Sequence, residues 1–328
     1  MRAPDPKIPG LKTVLSLASP AGAGAKLCIL IFHRVLPDAD PLRLGDPDAN
    51  TFRWQMRLLS RHFNVLPLHE AALRLRERCL PARAACVTFD DGYADNYTTA
   101  LPILREFGIS ATFFISTAYL DGGRMFNDTL IEVVRGLPEG ICNLSSIGLG
   151  AVDLVSIADR QALAGTLLGY FKYRPPEERI PAAERLAETF DIDLPTDLMM
   201  SSRQLKALHA SGMEIGGHTH SHPILALQSP AEARAEICLG KEKLEALLGT
   251  AIRVFAYPNG RPVKDYGQEH VAMISECGFD VAVSTRPAVA DRHCDIHQLP
   301  RFTPWDRTPA RFALRLLRTL VQPRSAGG

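Results

Sequence analysis

The chain has 328 residues, of which 46% are hydrophobic and 22% are charged. These fractions predict a large buried core and exclude widespread disorder. The 37 basic and 36 acidic side chains leave a net charge of +1, so the overall charge gives no electrostatic reason to expect a nucleic-acid partner. The length is long for one compact domain but normal for an α/β barrel.

The first 25 residues predict a loosely ordered or amphipathic leader. Their apolar stretch is interrupted by Lys12, Ser16 and Pro20, whereas a signal peptide needs a continuous apolar core of about seven to fifteen residues. No stretch of the chain approaches the roughly twenty apolar residues of a membrane-spanning helix. We therefore expect neither a cleaved signal nor a transmembrane span.

The seven cysteines are odd in number, scattered along the chain and without a CxxC pair. This pattern argues against a disulfide framework and favours a reducing compartment. The expected location is the cytoplasm, with peripheral association at the inner face of the membrane as a further possibility.

Short apolar strands alternate with helical segments along most of the chain. Strands are predicted at 26–33, 64–68, 83–90, 109–117, 213–218, 251–258, 279–285 and 297–302. Such alternation predicts a mostly parallel sheet, and about seven strands are enough for a distorted (β/α) barrel. A doubly wound open sheet is the competing architecture.

The alternation predicts one barrel domain over residues 26–320. It is interrupted at about 125–200, where the sequence shows helical segments and no clear strand, so we expect a helical insertion there. The last residues, 321–328, predict a disordered tail.

Polar clusters follow three of the predicted strands, and a lone histidine, His33, ends the first. Asp90 and Asp91 follow strand 83–90, the segment HTHSH occupies 218–222, and FAYPNG occupies 255–260. In parallel α/β folds, sites are built at the carboxyl ends of strands. These clusters are therefore the candidate functional residues.

The HTHSH segment holds three of the ten histidines within five residues. Two imidazoles and one carboxylate form an open, catalytic zinc-type site when water completes the coordination. The alternatives are an exposed histidine-rich loop here and a solvated Asp-Asp-Gly turn at residues 90–92.

Together, TFDDGY and HTHSH resemble the motifs of the polysaccharide deacetylase family, the NodB-homology or carbohydrate esterase family 4 enzymes. FAYPNG is similar to the third motif of that family, and FHRVLPDADP and YLDGGRMFND resemble its exopolysaccharide-associated branch. The resemblance covers about residues 26–305. It implies a NodB-like barrel that removes N-acetyl groups from an N-acetylhexosamine-containing polysaccharide or its precursor.

The resemblance also implies roles for individual residues. Asp91, His218 and His222 would hold a divalent metal, most readily Zn²⁺, with Co²⁺ or Mn²⁺ as alternatives. Asp90 would act as general base on the attacking water. The backbone N–H of Tyr257 would stabilise the oxyanion of the tetrahedral intermediate.

Two family features are missing from this sequence. Many members carry an arginine at the position of Ala256, which orients the catalytic aspartate, and the usual Leu-x-His general acid is absent. Arg301 could orient Asp90 instead. The candidates for the general acid are His33, which we rank first, and then His220, His293 and His297; the alternative for His33 is a buried histidine bonded to the backbone.

These departures leave two alternative functions open. One is hydrolysis of another small amide, and the other is a catalytically impaired barrel that binds glycan. The intact metal-ligand and base positions favour the deacetylase.

Overall fold

A curled, mostly parallel sheet forms the centre of the protein. The computed structural model describes residues 9–174 and 176–321. Its strands are β1 Leu27–Phe32, β2 Asn64–Val65, β3 Ala84–Phe89, β4 Thr112–Ile115, β5 Gly140–Asn143, β6 Ala151–Leu154, β7 Glu214–Gly217, β8 Val254–Ala256 and β9 Val281–Val283. The central sheet has the order β1-β3-β4-β7-β8-β9, with β2 also paired to β3, and all its strand pairs are parallel.

Helices cover the outside of this sheet and build the insertion. They are α1 Leu11–Ala18, α2 Ala49–His62, α3 Leu68–Arg76, α4 Leu101–Glu106, α5 Phe126–Gly136, α6 Ile157–Phe171, α7 Pro176–Thr189, α8 Ser202–Ala210, α9 Pro230–Leu248, α10 Gln268–Glu276 and α11 Pro309–Val321. Among the described residues, no helix combines the length and the hydropathy that a membrane crossing requires.

The segment 299–302 nearly closes the sheet into a barrel. Leu299 pairs with Val283 of β9, and Phe302 pairs with Leu30 of β1, both in parallel. The segment therefore lies between the two edge strands of the sheet. The predicted distorted barrel of about seven strands is confirmed.

Strands β1 and β3 are continuous apolar runs in the sequence. Every residue of both strands is buried, as expected for parallel strands that are covered on both faces. Alternate side chains point to opposite sides: Leu27 and Ile29 face the barrel interior, whereas Cys28 and Leu30 pack under the outer helices.

The insertion at 125–200 contains helices α5, α6 and α7 around a small core of its own. It also contains two strands, β5 and β6, which pair as an antiparallel hairpin, so the expectation of a strand-free insertion is wrong. The hairpin strands have only four residues each and are largely exposed. They therefore lack the continuous apolar run by which the central strands were predicted.

The N-terminal segment contains a helix. Residues 11–18 form the amphipathic helix α1, which buries Leu11 and Leu15 in the main core and packs against α2 and α11. The prediction was of a loosely ordered or amphipathic leader, and this helix fits the amphipathic alternative. Residues 1–8 and most of the predicted tail, 322–328, lie outside the described residues.

One disulfide bond corrects the interpretation of the cysteines. Cys238 of α9 is bonded to Cys277, which directly follows α10, and their Cα atoms lie 5.8 Å apart. The two residues are 39 positions apart in the sequence, and only the packing of α9 against α10 brings them together. The free cysteines are Cys28, Cys79, Cys86, Cys142 and Cys294.

The disulfide predicts how many thiols react in the denatured protein. Without reductant, a thiol-reactive dye should titrate the five free cysteines, since Cys238 and Cys277 are bonded to each other. Replacing this pair by serine should lower the free energy of unfolding by about 2–4 kcal/mol, because the closed loop no longer restricts the unfolded chain. The control Cys79→Ser removes an exposed free thiol and should leave stability unchanged. Titration of all seven thiols would contradict the bond.

Candidate metal centre

Three side chains meet at the carboxyl end of the sheet and could hold a metal ion. Asp91 follows β3, and His218 and His222 follow β7. One potential ligand atom from each residue lies within 4.8 Å of the others. Oδ1 of Asp91 is 3.4 Å from Nε2 of each histidine. The three predicted ligands therefore converge on one point.

The donor atoms fit a divalent cation. Oδ1 of Asp91 is buried and has no hydrogen-bond partner, which is costly unless a cation occupies the space before it. His218 donates from Nδ1 to the carbonyl of Ala256 over 2.7 Å, and this bond leaves the lone pair of Nε2 turned toward Asp91. Two imidazole nitrogens and one carboxylate oxygen are a ligand set that zinc prefers in catalytic sites.

The electrostatics of the cluster also favour a cation. Burial would raise the pKa of Asp91, but the two histidines outweigh it and the pKa lies below its ordinary value. Burial lowers the pKa of His222 to about 3, so this imidazole is neutral at pH 7, as a metal ligand must be. Burial opposes protonation of His218 as well, yet Asp91 and Asp90 raise its pKa. The negative charges of Asp90 and Asp91 thus favour a positively charged group in the pocket.

The backbone of the segments that carry the candidate metal ligands is strained. Asp91, Thr219 and His222 have φ angles of 77°, 63° and 57°, in the left-handed region that residues other than glycine rarely adopt. Such conformations persist only where the surrounding structure imposes them, and they are common at functional sites. Two of these three residues, Asp91 and His222, carry candidate ligand atoms.

Asp90 has a separate partner, the guanidinium of Arg301. Nη1 and Nη2 of Arg301 each donate to one carboxylate oxygen of Asp90 over 2.7 Å. Arg301 is fully buried and also donates to the carbonyl of Ser284 and the hydroxyl of Thr88. Burial by itself would raise the pKa of Asp90. The effect of Arg301 is opposite and stronger, so the pKa of Asp90 lies below its ordinary value. Arg301 thus orients Asp90 and keeps it ionised.

Helix α9 supports the loop that carries His218 and His222. Glu236 accepts hydrogen bonds from the backbone N–H groups of His220 and Ser221, over 3.0 and 2.7 Å. One turn later, a Cβ at Gly240 would lie 2.7 Å from the carbonyl of Thr219, so only glycine permits this close approach. Sequence reasoning missed both residues, and their spacing of four along one helix was the signal available.

The other histidines do not join the cluster. Nδ1 of His220 lies 2.8 Å from the hydroxyl of Thr117, and Nε2 of His297 donates to the carbonyl of Phe279 over 3.2 Å. His293 is exposed. These contacts engage the rings of His220 and His297 outside the cluster.

Of the four candidates for the general acid, His33 is the one whose ring influences both carboxylates. It directly follows β1 and is half-buried. Asn96 donates to its backbone carbonyl over 2.8 Å, while the charge of its ring is one of the influences that lower the pKa of Asp90 and Asp91. Its ring therefore interacts electrostatically with the centre of the site.

Tyr257 was predicted to supply an oxyanion-stabilising N–H. In the structure, this N–H donates to the carbonyl of Val283 over 3.3 Å, as part of the pairing between β8 and β9. Its buried hydroxyl donates to the carbonyl of His297. The N–H can therefore reach an oxyanion only if its present hydrogen bond opens.

A buried ionic network lies next to the site and was not predicted. Arg34, which follows His33, pairs with Asp95 over 2.7 Å. Arg43 pairs with Asp128 of α5 over the same distance, and the hydroxyl of Tyr93 donates to Asp128 over 3.0 Å. Asp128 thus joins the insertion to the loop after β1.

Glu236 should set the metal affinity without binding the metal. We expect Glu236→Gln to weaken metal binding about 10- to 100-fold, because partners that orient metal ligands typically contribute that much. Competition against a chromophoric chelator measures the change. Glu242→Gln, an exposed position on the same helix, is the matched control. Unchanged affinity in Glu236→Gln would contradict the supporting role.

Comparison with known proteins agrees with this geometry. The family model described as polysaccharide deacetylase matches residues 77–145 and 180–282, which is more than half of the chain. The match includes the adjacent aspartates and both candidate ligand histidines, but neither His33 nor Arg301. The Bacillus subtilis (strain 168) protein YxkH, which carries the same family name, is 23% identical over 279 residues, covering 84% of this chain and 71% of YxkH.

Solved structures share the fold over almost the whole chain. The Streptococcus pyogenes deacetylase PplD, in complex with acetate, has a TM-score of 0.59 and 19% identity, covering 91% of this chain and 99% of PplD. IcaB from Ammonifex degensii has a TM-score of 0.58 and 19% identity, covering 93% of this chain and 99% of IcaB. With the family match and the Asp-His-His cluster, these findings show that the chain belongs to the polysaccharide deacetylase family.

Proposed function

We propose that this protein is a metal-dependent N-deacetylase that acts on an N-acetylhexosamine-containing polysaccharide or its precursor. The observation that carries the proposal is the separation of two adjacent carboxylates: Asp91 faces His218 and His222, whereas Asp90 is held by Arg301. One carboxylate is thus free to bind a metal, and the other to accept a proton. The acetate bound to PplD, the product expected of deacetylation, supports the same chemistry.

Asp91, His218 and His222 would hold the metal, and Zn²⁺ suits their two nitrogens and one oxygen best. Co²⁺ and Mn²⁺ are alternatives for the same donors. When bound, such a metal polarises the acetamide carbonyl and lowers the pKa of a water molecule.

Asp90 would then act as general base on the attacking water. Its low pKa keeps it ionised at neutral pH, so it is ready to accept a proton. Arg301 occupies one acceptor position on each carboxylate oxygen, and a carboxylate has about four such positions. Asp90 can therefore keep its arginine partner and still accept the proton of the water.

His33 would act as general acid that protonates the leaving amine. It lies at the carboxyl end of β1, the same end of the parallel sheet at which Asp90 and Asp91 follow β3. The other three histidine candidates lie away from the cluster or are engaged elsewhere. An amine leaves an amide readily only when it is protonated, so the reaction needs such a group.

Trp305 is the best candidate for contact with the sugar chain. It lies just after the closing segment 299–302, and 63% of its surface is exposed. Trp54, by contrast, packs against Phe312 with ring centroids 5.7 Å apart. A large exposed aromatic ring beside a glycan site offers a flat apolar surface to a sugar.

The state of the Cys238–Cys277 pair in cells bears on the compartment. The cytoplasmic location was expected from two features, the lack of a clear signal peptide and cysteines interpreted as free thiols, and the disulfide removes the second of them. Stable disulfides are typical of oxidising compartments. Alkylation of thiols in intact cells therefore decides between the cytoplasm, with the pair reduced, and an exported protein, with the pair oxidised.

Substitution of the two aspartates should separate metal binding from proton transfer. We expect Asp91→Asn to lose metal affinity, because it removes a ligand charge. Asp90→Asn should keep the metal but lower kcat by about 10²- to 10⁴-fold, the usual contribution of a general base. Metal analysis of the purified variants and acetate release from N-acetylglucosamine oligomers measure the two effects.

The same assay distinguishes the alternative functions. Metal-loaded protein that binds these oligomers tightly without releasing acetate would be a glycan-binding barrel. Release of acetate from small acetamides but not from the oligomers would indicate another amidase. Loss of metal in Asp90→Asn would contradict the division of roles between the aspartates.

His33 should matter only when the leaving group needs a proton. We expect His33→Gln to reduce acetate release from N-acetylglucosamine oligomers by at least about 100-fold. Hydrolysis of p-nitrophenyl acetate should change little, because nitrophenolate leaves without protonation. His293→Gln, at an exposed histidine, serves as the control. An equal loss with both substrates would contradict the general-acid role.

A further inference from the structure

Three helices on one side of the barrel carry basic side chains and no acidic ones. The whole chain has nearly equal numbers, 37 basic and 36 acidic. Helices α1, α2 and α11 nevertheless contain no Asp or Glu. Their basic residues are Lys12, Arg53, Arg57, Arg61, Arg311, Arg315 and Arg318. We call the outer surface of these helices the basic face.

The basic face is a preformed surface, because the three helices pack on one another. Leu15 of α1, Met56 of α2 and Leu316 of α11 are fully buried in the same core. The ring of Trp54 contacts that of Phe312 at the α2–α11 junction.

The outer side of α11 alternates basic and apolar residues. Arg311, Leu314, Arg318 and Val321 are separated by three, four and three positions, so they share one face of the helix. All four are exposed, and Val321 has 58% of its surface accessible. The apolar side of α11 is buried in the protein core, and its outer side presents two cations beside two aliphatic side chains, which together can contact lipid headgroups and the boundary of the acyl chains.

Helix α1 also presents both basic and apolar side chains on its exposed side. Its exposed residues include Lys12, Val14 and Leu17, and 79% of the surface of Leu17 is accessible. No acidic side chain on α1 or α11 offsets these cations.

Some of the cations have no protein partner. Arg53 pairs with Glu106, and Arg315 pairs with Asp306. In contrast, Lys12, Arg311 and Arg318 form no ion pair within residues 9–174 and 176–321. Three cations are therefore available to an external anion.

We propose that the basic face docks the protein on the surface of an anionic lipid bilayer. The unpaired cations would contact lipid headgroups, and the exposed leucines and valines would enter the boundary between headgroups and acyl chains. Exposed aliphatic side chains favour a bilayer over a nucleic acid, whose phosphates offer them no apolar environment. The contact is peripheral, and it leaves the metal centre, built at the carboxyl ends of the strands, outside the docking surface.

Sedimentation of the full-length protein with vesicles tests the proposal. Binding is expected to phosphatidylcholine vesicles that contain phosphatidylglycerol, to fall with added salt, and to be absent from pure phosphatidylcholine. The double substitution Arg311→Glu and Arg318→Glu should weaken the partition at least about tenfold, since each basic residue near an anionic surface accounts for about fivefold. Arg203→Glu with Lys206→Glu on α8 makes the same charge change at exposed positions and should bind normally.

Replacement of exposed leucines by serine tests whether apolar side chains contribute to membrane binding. Leu17→Ser with Leu314→Ser should also weaken binding several-fold, whereas Ile141→Ser with Leu227→Ser, at exposed sites elsewhere, should not. All variants should release acetate from soluble oligomers as the unmodified protein does, which separates docking from the proposed catalysis. Absence of binding to anionic vesicles, equal losses in the control pairs, or tighter binding to duplex DNA than to vesicles would overturn the proposal.

Discussion

The candidate site depends on how two buried, adjacent carboxylates obtain separate positive charges. Asp90 and Asp91 directly follow strand β3 and are almost completely buried. Two such charges so close together would repel each other and be strongly destabilised unless each had a cation. Arg301 compensates Asp90 from one side, and the two histidines, with the metal they would hold, compensate Asp91 from the other. The separate partners are the basis for the separate roles that we propose for the two aspartates.

The curled sheet makes this arrangement possible. Arg301 is 211 positions from Asp90 in the sequence and reaches it because the segment 299–302 lies between β9 and β1. In an open sheet, the two edge strands would be far apart and the arginine would need another origin. The near closure of the barrel therefore supplies the positioning residue that Ala256 does not.

Helix α9 connects the metal centre to the stability of the fold. Glu236 and Gly240 face the loop that carries the ligand histidines, while Cys238, between them, is bonded to Cys277 beyond α10. The disulfide thus restrains the same helix whose glutamate holds the loop backbone. We infer that the strained φ angles of the loop are maintained by this helix.

The parts of the site that are local in sequence could be predicted from sequence. Asp90, Asp91, His218 and His222 lie in short motifs at the ends of apolar strands, and the resemblance of these motifs to a known family implied metal chemistry. The strand and helix alternation likewise predicted the barrel, because continuous apolar runs and periodic helices are local patterns. Only the tertiary structure paired Arg301 with Asp90, Glu236 with the ligand loop and Cys238 with Cys277, and only it assembled the basic face from three separate helices. Each of these depends on contacts between residues far apart in the chain, which local periodicity and composition do not encode.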